Sequence, residues 1–225
     1  MKKTAVYTPK EARYREIASV LRTKGGICRM IPGQPYGLAG MGLILMDAAA
    51  RQNFPEILDE AAKLPRPPVL ALFYSPGQEP PEGEFPGFDA RLELGGDFSA
   101  HLAAFLRKYG VRLGIFAVKI RKEVFAISAA DIRFCEMDKH CVKLAAGSGS
   151  VKYWGVLEEE AEKLRPFGII RIHKSYMVNL RFVRGFTASH VDLETGESFP
   201  LGRKYRQSFR SACEAGGLSA GPAPR

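Results

Sequence analysis

Two uninterrupted apolar runs, Gly42-Leu-Ile-Leu-Met-Asp47 and Val69-Leu-Ala-Leu-Phe-Tyr74, constrain the fold more than any other feature of this chain. A strand with one wet face alternates apolar and polar residues. A continuous run instead needs cover on both faces, as in a parallel sheet flanked by helices. The surrounding sequence supplies those helices. Residues 10–22 place Ala12, Ile17, Ala18, Val20 and Leu21 on one helical face, with Pro9 suited to a first turn. A second helix is expected over residues 54–64, bracketed by Pro55 and Pro65, and a third over residues 98–109, with Phe98, Leu102, Phe105 and Leu106 at helical spacing. Shorter runs at residues 4–8, 27–31 and 90–94 read as strands. Residues 75–87 hold too much proline and glycine for regular structure and read as a loop. Strands alternating with helices predict an open, mostly parallel α/β sheet of flavodoxin-like type over residues 1–110.

From residue 111 the texture changes to short alternating runs. Residues 114–120 and 123–127 flank Arg121-Lys122 and predict a hairpin, and a one-turn helix around Ala130 leads into a strand. His140-Cys-Val-Lys-Leu144 and Val151-Lys-Tyr-Trp154 predict a pair joined by a Gly/Ser turn. Residues 156–164 predict one helix, whose acids Glu158, Glu159, Glu160 and Glu162 read as a solvated face. Residues 168–172, 177–179, 182–183, 189–193 and 198–201 are strand pieces, and residues 203–213 form a terminal helix. Residues 214–225, rich in Gly, Ala and Pro, read as a disordered tail. Phe167, Trp154, Tyr176 and Phe182 are expected mostly in the core. The second domain, residues 111–213, is therefore mostly β.

Charge is asymmetric about residue 110: 14 Lys+Arg against 12 Asp+Glu before it, and 19 against 12 after it. A net charge of +9 so distributed fits a polyanionic partner, and equally a solvated basic face. Cys28, Cys135, Cys141 and Cys213 include no Cys-x-x-Cys pair and read as reduced thiols. Cys135, His140 and Cys141 lack a spaced fourth ligand, so no metal site is expected. No apolar run reaches the roughly 18 residues that span a bilayer, and Met1-Lys2-Lys3 does not open a signal peptide, so a cytoplasmic chain with no membrane partner is expected.

Three motifs in order then identify the second domain. Phe167-Gly-Ile-Ile-Arg-Ile-His-Lys-Ser-Tyr-Met-Val-Asn179, Asp131-Ile-Arg-Phe-Cys-Glu136 and Leu193-Glu-Thr-Gly-Glu-Ser-Phe-Pro-Leu-Gly-Arg-Lys-Tyr205 closely resemble the signature of the LytTR (LytR/AlgR) DNA-binding family. The resemblance implies small β-sheets whose loops, rather than a recognition helix, enter major grooves. It implies duplex DNA and a second copy of the chain as partners, and a role as a sequence-specific transcription regulator. Carried over by position, base contacts fall on His140, Lys174 and Arg203. Lysine and arginine can donate to guanine O6 and N7, and a histidine ring to N7 or phosphate. Arg171, Ser175, Arg181, Lys204 and Arg206 suit phosphates. His173 reads equally as packed or as touching DNA, and Asn179 as satisfying a turn. One departure is Gly202, where the family usually has serine, although glycine is itself an acceptable helix N-cap.

The layout of residues 1–110 resembles a receiver domain of two-component signalling, with Asp47 at the place of the phosphorylated aspartate and Ser75 matching a hydroxyl such domains keep. That resemblance implies a sensor kinase or another signalling partner. The acidic pair that would hold Mg²⁺ is replaced by Tyr7-Thr8-Pro9-Lys10, and the lysine after the fifth strand is missing. The domain therefore reads as a degenerate receiver, with Asp47 either a possible phosphorylation site or a strand-end carboxylate capping the next segment. No glycine-rich phosphate loop or nucleophile elbow is present, so neither an enzyme nor a cofactor is expected. The alternative function is a protein–protein regulatory module whose LytTR-like domain does not bind DNA specifically.

Overall fold

The computed structural model describes residues 3–23, 26–32, 37–80 and 87–216. Parts of the expected 75–87 loop and all but the start of the expected 214–225 tail lie outside them. The chain divides into two compact units, residues 1–127 and 128–225.

The first unit is built on a parallel sheet of β1 (Lys3–Tyr7), β3 (Ile27–Met30), β4 (Met41–Asp47), β5 (Val69–Tyr74) and β6 (Ala90–Glu93). Its spatial order is β3-β1-β4-β5-β6, the 2-1-3-4-5 order of flavodoxin-like folds. Both apolar runs are covered on both faces. Val6, Leu43, Leu45, Ala71 and Phe73 pack with Ile17 of α1 (Glu11–Val20) and with Leu102 and Leu106 of α3 (Phe98–Leu113). Ala5, Ile44, Met46, Leu70 and Leu72 pack with Phe54, Ile57 and Ala61 of α2 (Phe54–Ala62) on the other face. The third helix continues past residue 109 because Leu113 is buried against this core. Gly114 then ends it in the left-handed conformation at φ 66°.

A small second sheet, β2-β8-β7, completes the unit from β2 (Leu21–Thr23), β7 (Ile115–Ile120) and β8 (Glu123–Ser128). Helical periodicity extends through residue 22, yet the helix stops at Val20. Leu21 turns extended, pairs with Val124 and is buried beside it. With the boundary at residue 127, the Lys+Arg excess is 18 against 13 in the first unit and 15 against 11 in the second. The charge asymmetry thus depends on where the hairpin is assigned, and local placement of cations matters more.

The second unit holds a five-stranded antiparallel sheet in the order β11-β10-β9-β13-β12 and a three-stranded one, β14-β15-β16. The first comprises β9 (Ile132–Asp138), β10 (Cys141–Ala146), β11 (Gly149–Trp154), β12 (Ile169–Arg171) and β13 (Tyr176–Asn179). The second comprises β14 (Val183–Phe186), β15 (His190–Leu193) and β16 (Ser198–Pro200). Phe134, Ala145 and Val178 of the larger sheet meet Phe186, Val191 and Phe199 of the smaller, together with Phe209 and Cys213 of the terminal helix α5 (Arg206–Ala215).

Three expectations are corrected in this unit. Leu180–Phe182 is a one-turn 3-10 helix rather than the start of a strand, because buried Asn179 caps it. The Asn179 Oδ1 accepts from Arg181 N at 3.0 Å, while Nδ2 donates to Ile132 O at 2.7 Å and Ala129 O at 3.3 Å. Glu160 of α4 (Leu157–Leu164) is buried, not solvated: it accepts from Tyr153 Oη at 2.9 Å and Lys163 Nζ at 2.6 Å. Burial and this carboxylate push the Tyr153 phenol well above its ordinary range. Trp154 is not core; 79% of it faces water.

Candidate nucleic-acid interface

Strand direction brings distant motifs to one end of the five-stranded sheet. The last residues of β9 lead into the turn Lys139-His140, and β13 starts opposite them, with Tyr176 facing Glu136. The loop before β13, residues 172–175, therefore lies beside that turn, and Met137 N donates to Ser175 O at 2.8 Å. The chain after β16 closes on the same loop, where Gly202 N donates to Ile172 O at 2.8 Å. Turn 139–140, loop 172–175 and the Arg203–Tyr205 helical turn are thus adjacent.

At this edge His140, Lys174, Arg203 and Lys204 are exposed, and Ser175 and Arg206 are half-buried. Arg181 is exposed at the far end of β13, so the structure does not gather it with the others. Lys139 enters its turn at φ 58°, a left-handed conformation that costs a side chain roughly 1–2 kcal/mol and turns the chain back within two residues.

The loops are held by polar groups beneath their tips. Arg171 donates from Nε to His173 O at 3.2 Å and from Nη2 to Lys174 O at 3.2 Å, and its Nη1 bonds Glu158. Its guanidinium also lies 5.3 Å from the Tyr205 ring centre, with Lys204 Nζ 5.8 Å from the same ring. Arg171, expected at a phosphate, is therefore engaged in shaping the loop that presents Lys174.

His173 accepts from Ser175 N at 3.2 Å through Nδ1 and stacks on Tyr176 with ring centres 5.6 Å apart. Burial first, then the charges of Lys174 and Arg171, hold its pKa below the ordinary imidazole value. Gly202 has a local reason for its size: a Cβ there would meet Tyr205 Cδ2 at 3.2 Å and His173 Cδ2 at 3.4 Å.

Cys135 and Cys141 are not placed to bind one metal ion together with His140. Cys141 pairs with Asp138 and Cys135 with Leu144, so the two side chains project from opposite faces. Burial raises the Cys135 thiol far above its ordinary pKa. Among the described residues, no group of three His, Cys, Asp or Glu is placed to hold a metal ion.

In the first unit Asp47 sits at the carboxyl end of β4, fully buried. Its Oδ2 accepts from Thr8 Oγ1 at 2.7 Å and its Oδ1 from Ala49 N at 2.9 Å, which caps the following turn. Arg13, nearly buried itself, ion-pairs with Oδ1 and donates from Nη2 to Ser75 Oγ at 2.5 Å. A receiver's Mg²⁺ would need carboxylate oxygens where this chain supplies Thr8 and a guanidinium, so the residues present do not fit the ion. The sequence marked Asp47 and Ser75 but not Arg13, whose helical position carries no motif.

A family model described as the LytTr DNA-binding domain matches residues 122–214. Among solved structures, a LytTr DNA-binding domain from Bacillus cereus is similar at 19% identity, covering 44% of this chain and 94% of that one, with a TM-score of 0.38. No curated protein matches the chain. Among the described residues, no helix is long and apolar enough to cross a membrane.

The lowered pKa of His173 has a defined sign. The unfolded chain takes up the proton first as pH falls, so this contribution to stability is full above about pH 6.5 and is lost as pH drops through the lower folded value. Thermal melts across this window should show the wild type losing stability on acidification and His173→Gln losing less of it. Parallel losses in the two proteins would show that His173 is not the titrating group.

Proposed function

We propose, from the match of residues 122–214 to the LytTr DNA-binding domain, that the chain is a sequence-specific transcription regulator that reads duplex DNA through three loops of its C-terminal unit. The observation that carries this reading is the convergence of turn 139–140, loop 172–175 and the Arg203–Tyr205 turn at one sheet edge with His140, Lys174 and Arg203 exposed. Arg203 and Lys174 donate to guanine O6 and N7, and His140 donates to a base N7. Ser175, Lys204 and Arg206 bind phosphates and fix register, and Arg171 adds charge there while orienting its loop. Arg181, farther along the unit, contacts a more distant phosphate. Two copies of the chain bind two half-sites, with the separation set by the geometry of the pair.

The first unit regulates without aspartyl phosphate chemistry. Asp47 serves as the counter-ion of Arg13, which ties α1 to the strand ends after β4 and β5. Both carboxylate oxygens are already bonded, and a cation stands where an incoming phosphoryl group would need a metal.

The DNA reading makes Arg203→Ala and Arg206→Ala behave differently. The first should cost about 1–3 kcal/mol on the specific site and little on random duplex. The second should weaken both equally and reduce the salt slope by about one. Equal losses on both duplexes for both variants would contradict the assignment, and binding that ignores salt would favour a protein–protein module. Incubation with a small phosphodonor and Mg²⁺, followed by intact-mass measurement, should leave the chain unmodified; a stable phosphoryl adduct on Asp47 would overturn the counter-ion role.

A further inference from the structure

Trp154 is the only tryptophan of the chain and is 79% exposed at the end of β11, with Val156, 53% exposed, two residues on. A tryptophan that leaves most of its large apolar surface in water, next to an exposed valine, is a candidate contact surface, since tryptophan is highly buried on average and is enriched among the residues that carry binding energy. Its position is fixed by pairing. Trp154 faces Cys141 across the sheet, at the same end as the Lys139-His140 turn. Its ring lies against that of His140, with centres 5.4 Å apart and planes inclined by 20°. Among the described residues, its Nε1–H has no hydrogen-bond partner.

The surroundings are strongly polar and carry charges of both signs. Counting by twos along the paired strands puts Trp154, Lys152 and Lys143 on one face, with Lys143 directly opposite Lys152. Their side chains are 42% and 52% exposed for Lys143 and Lys152, and each holds only a surface carboxylate, Glu136 at 3.7 Å and Asp138 at 2.6 Å. Such pairs are weak and exchange readily for a phosphate. Beyond these pairs, Lys139 of the adjacent turn and Lys174 of the neighbouring loop are exposed and, among the described residues, hold no carboxylate, so the end of the sheet beside Trp154 carries an excess of cations that suits a polyanion.

We propose that the Trp154–His140 stack is a fourth DNA-contacting element, in which the indole packs on the deoxyribose and thymine-methyl wall of the groove beside the base edge met by His140. This rests on the DNA-binding reading above. The apolar ring supplies contact area to the thymine methyl, Nε1–H is available to a phosphate or base acceptor, and the stack limits the rotation of His140.

Because the chain has one tryptophan, its emission reports this site alone. The full chain is titrated with a random-sequence duplex of about three helical turns, carrying a label for independent anisotropy, and with the same duplex made with deoxyuridine in place of thymidine. The expected result is a saturable change in Trp154 emission that tracks anisotropy and reverses with salt. Affinity should fall on the order of tenfold in Trp154→Ala, and fall detectably on the methyl-free duplex, with Trp154→Phe keeping most of it. Unmoved emission during normal anisotropy, with Trp154→Ala binding as wild type, would overturn this proposal while leaving the DNA reading intact. An emission change that follows protein concentration without DNA would assign the patch to a second copy and likewise overturn it. Absence of any anisotropy change would remove the DNA reading itself and the proposal with it.

Discussion

The antiparallel register of β9 with β13 is the constraint on which the interface depends. With Tyr176 opposite Glu136 and Met137 bonded to Ser175, the 172–175 loop has one place to go, beside the Lys139-His140 turn. A one-residue slip would flip every side chain of β13 to the other face, bury Tyr176 where Met177 belongs and carry Lys174 away from the edge. The core enforces the register, since Met177 and Val178 are both fully buried. The placement of the loops proposed to read DNA is thus a consequence of apolar packing several residues below their tips.

Polar groups under the loops complete what packing begins. Arg171 gathers the His173 and Lys174 carbonyls, Glu158 and the Tyr205 ring, linking a helix, a loop and the terminal turn through one guanidinium. Arg13 does the same in the first unit, joining Asp47 and Ser75. In both places a planar fork of donors holds chain segments far apart in sequence. Removing either would leave acceptors under-satisfied rather than simply deleting a surface charge.

Much of the fold was legible because its signals are local. The two continuous apolar runs announced strands covered on both faces, prolines marked helix ends, and the three ordered motifs lie within the stretch that matches the LytTr DNA-binding domain. The open parallel α/β sheet followed from the alternation of elements, and the structure adds its strand order. What escaped depends on distant partners. Leu21 has helical spacing but leaves the helix to pair with Val124, 103 positions away. Glu160 looks like its acidic neighbours until Tyr153 and Lys163 enclose it. Trp154 has the composition of a core residue, and only its place at the end of an edge strand leaves it in water. Within the interface, residue types were legible from the motifs, whereas the role of Arg171 under the loop needed the geometry.

The central claim is that one sheet edge reads base sequence. Selection of bound duplexes from a random pool by the full chain tests it most directly. The account predicts enrichment of one short motif, recovered as two copies at a fixed separation close to a whole number of helical turns, about 10.5 base pairs or a multiple of it. A recovered pool with the same sequence composition as the input, at salt where binding persists, would contradict it.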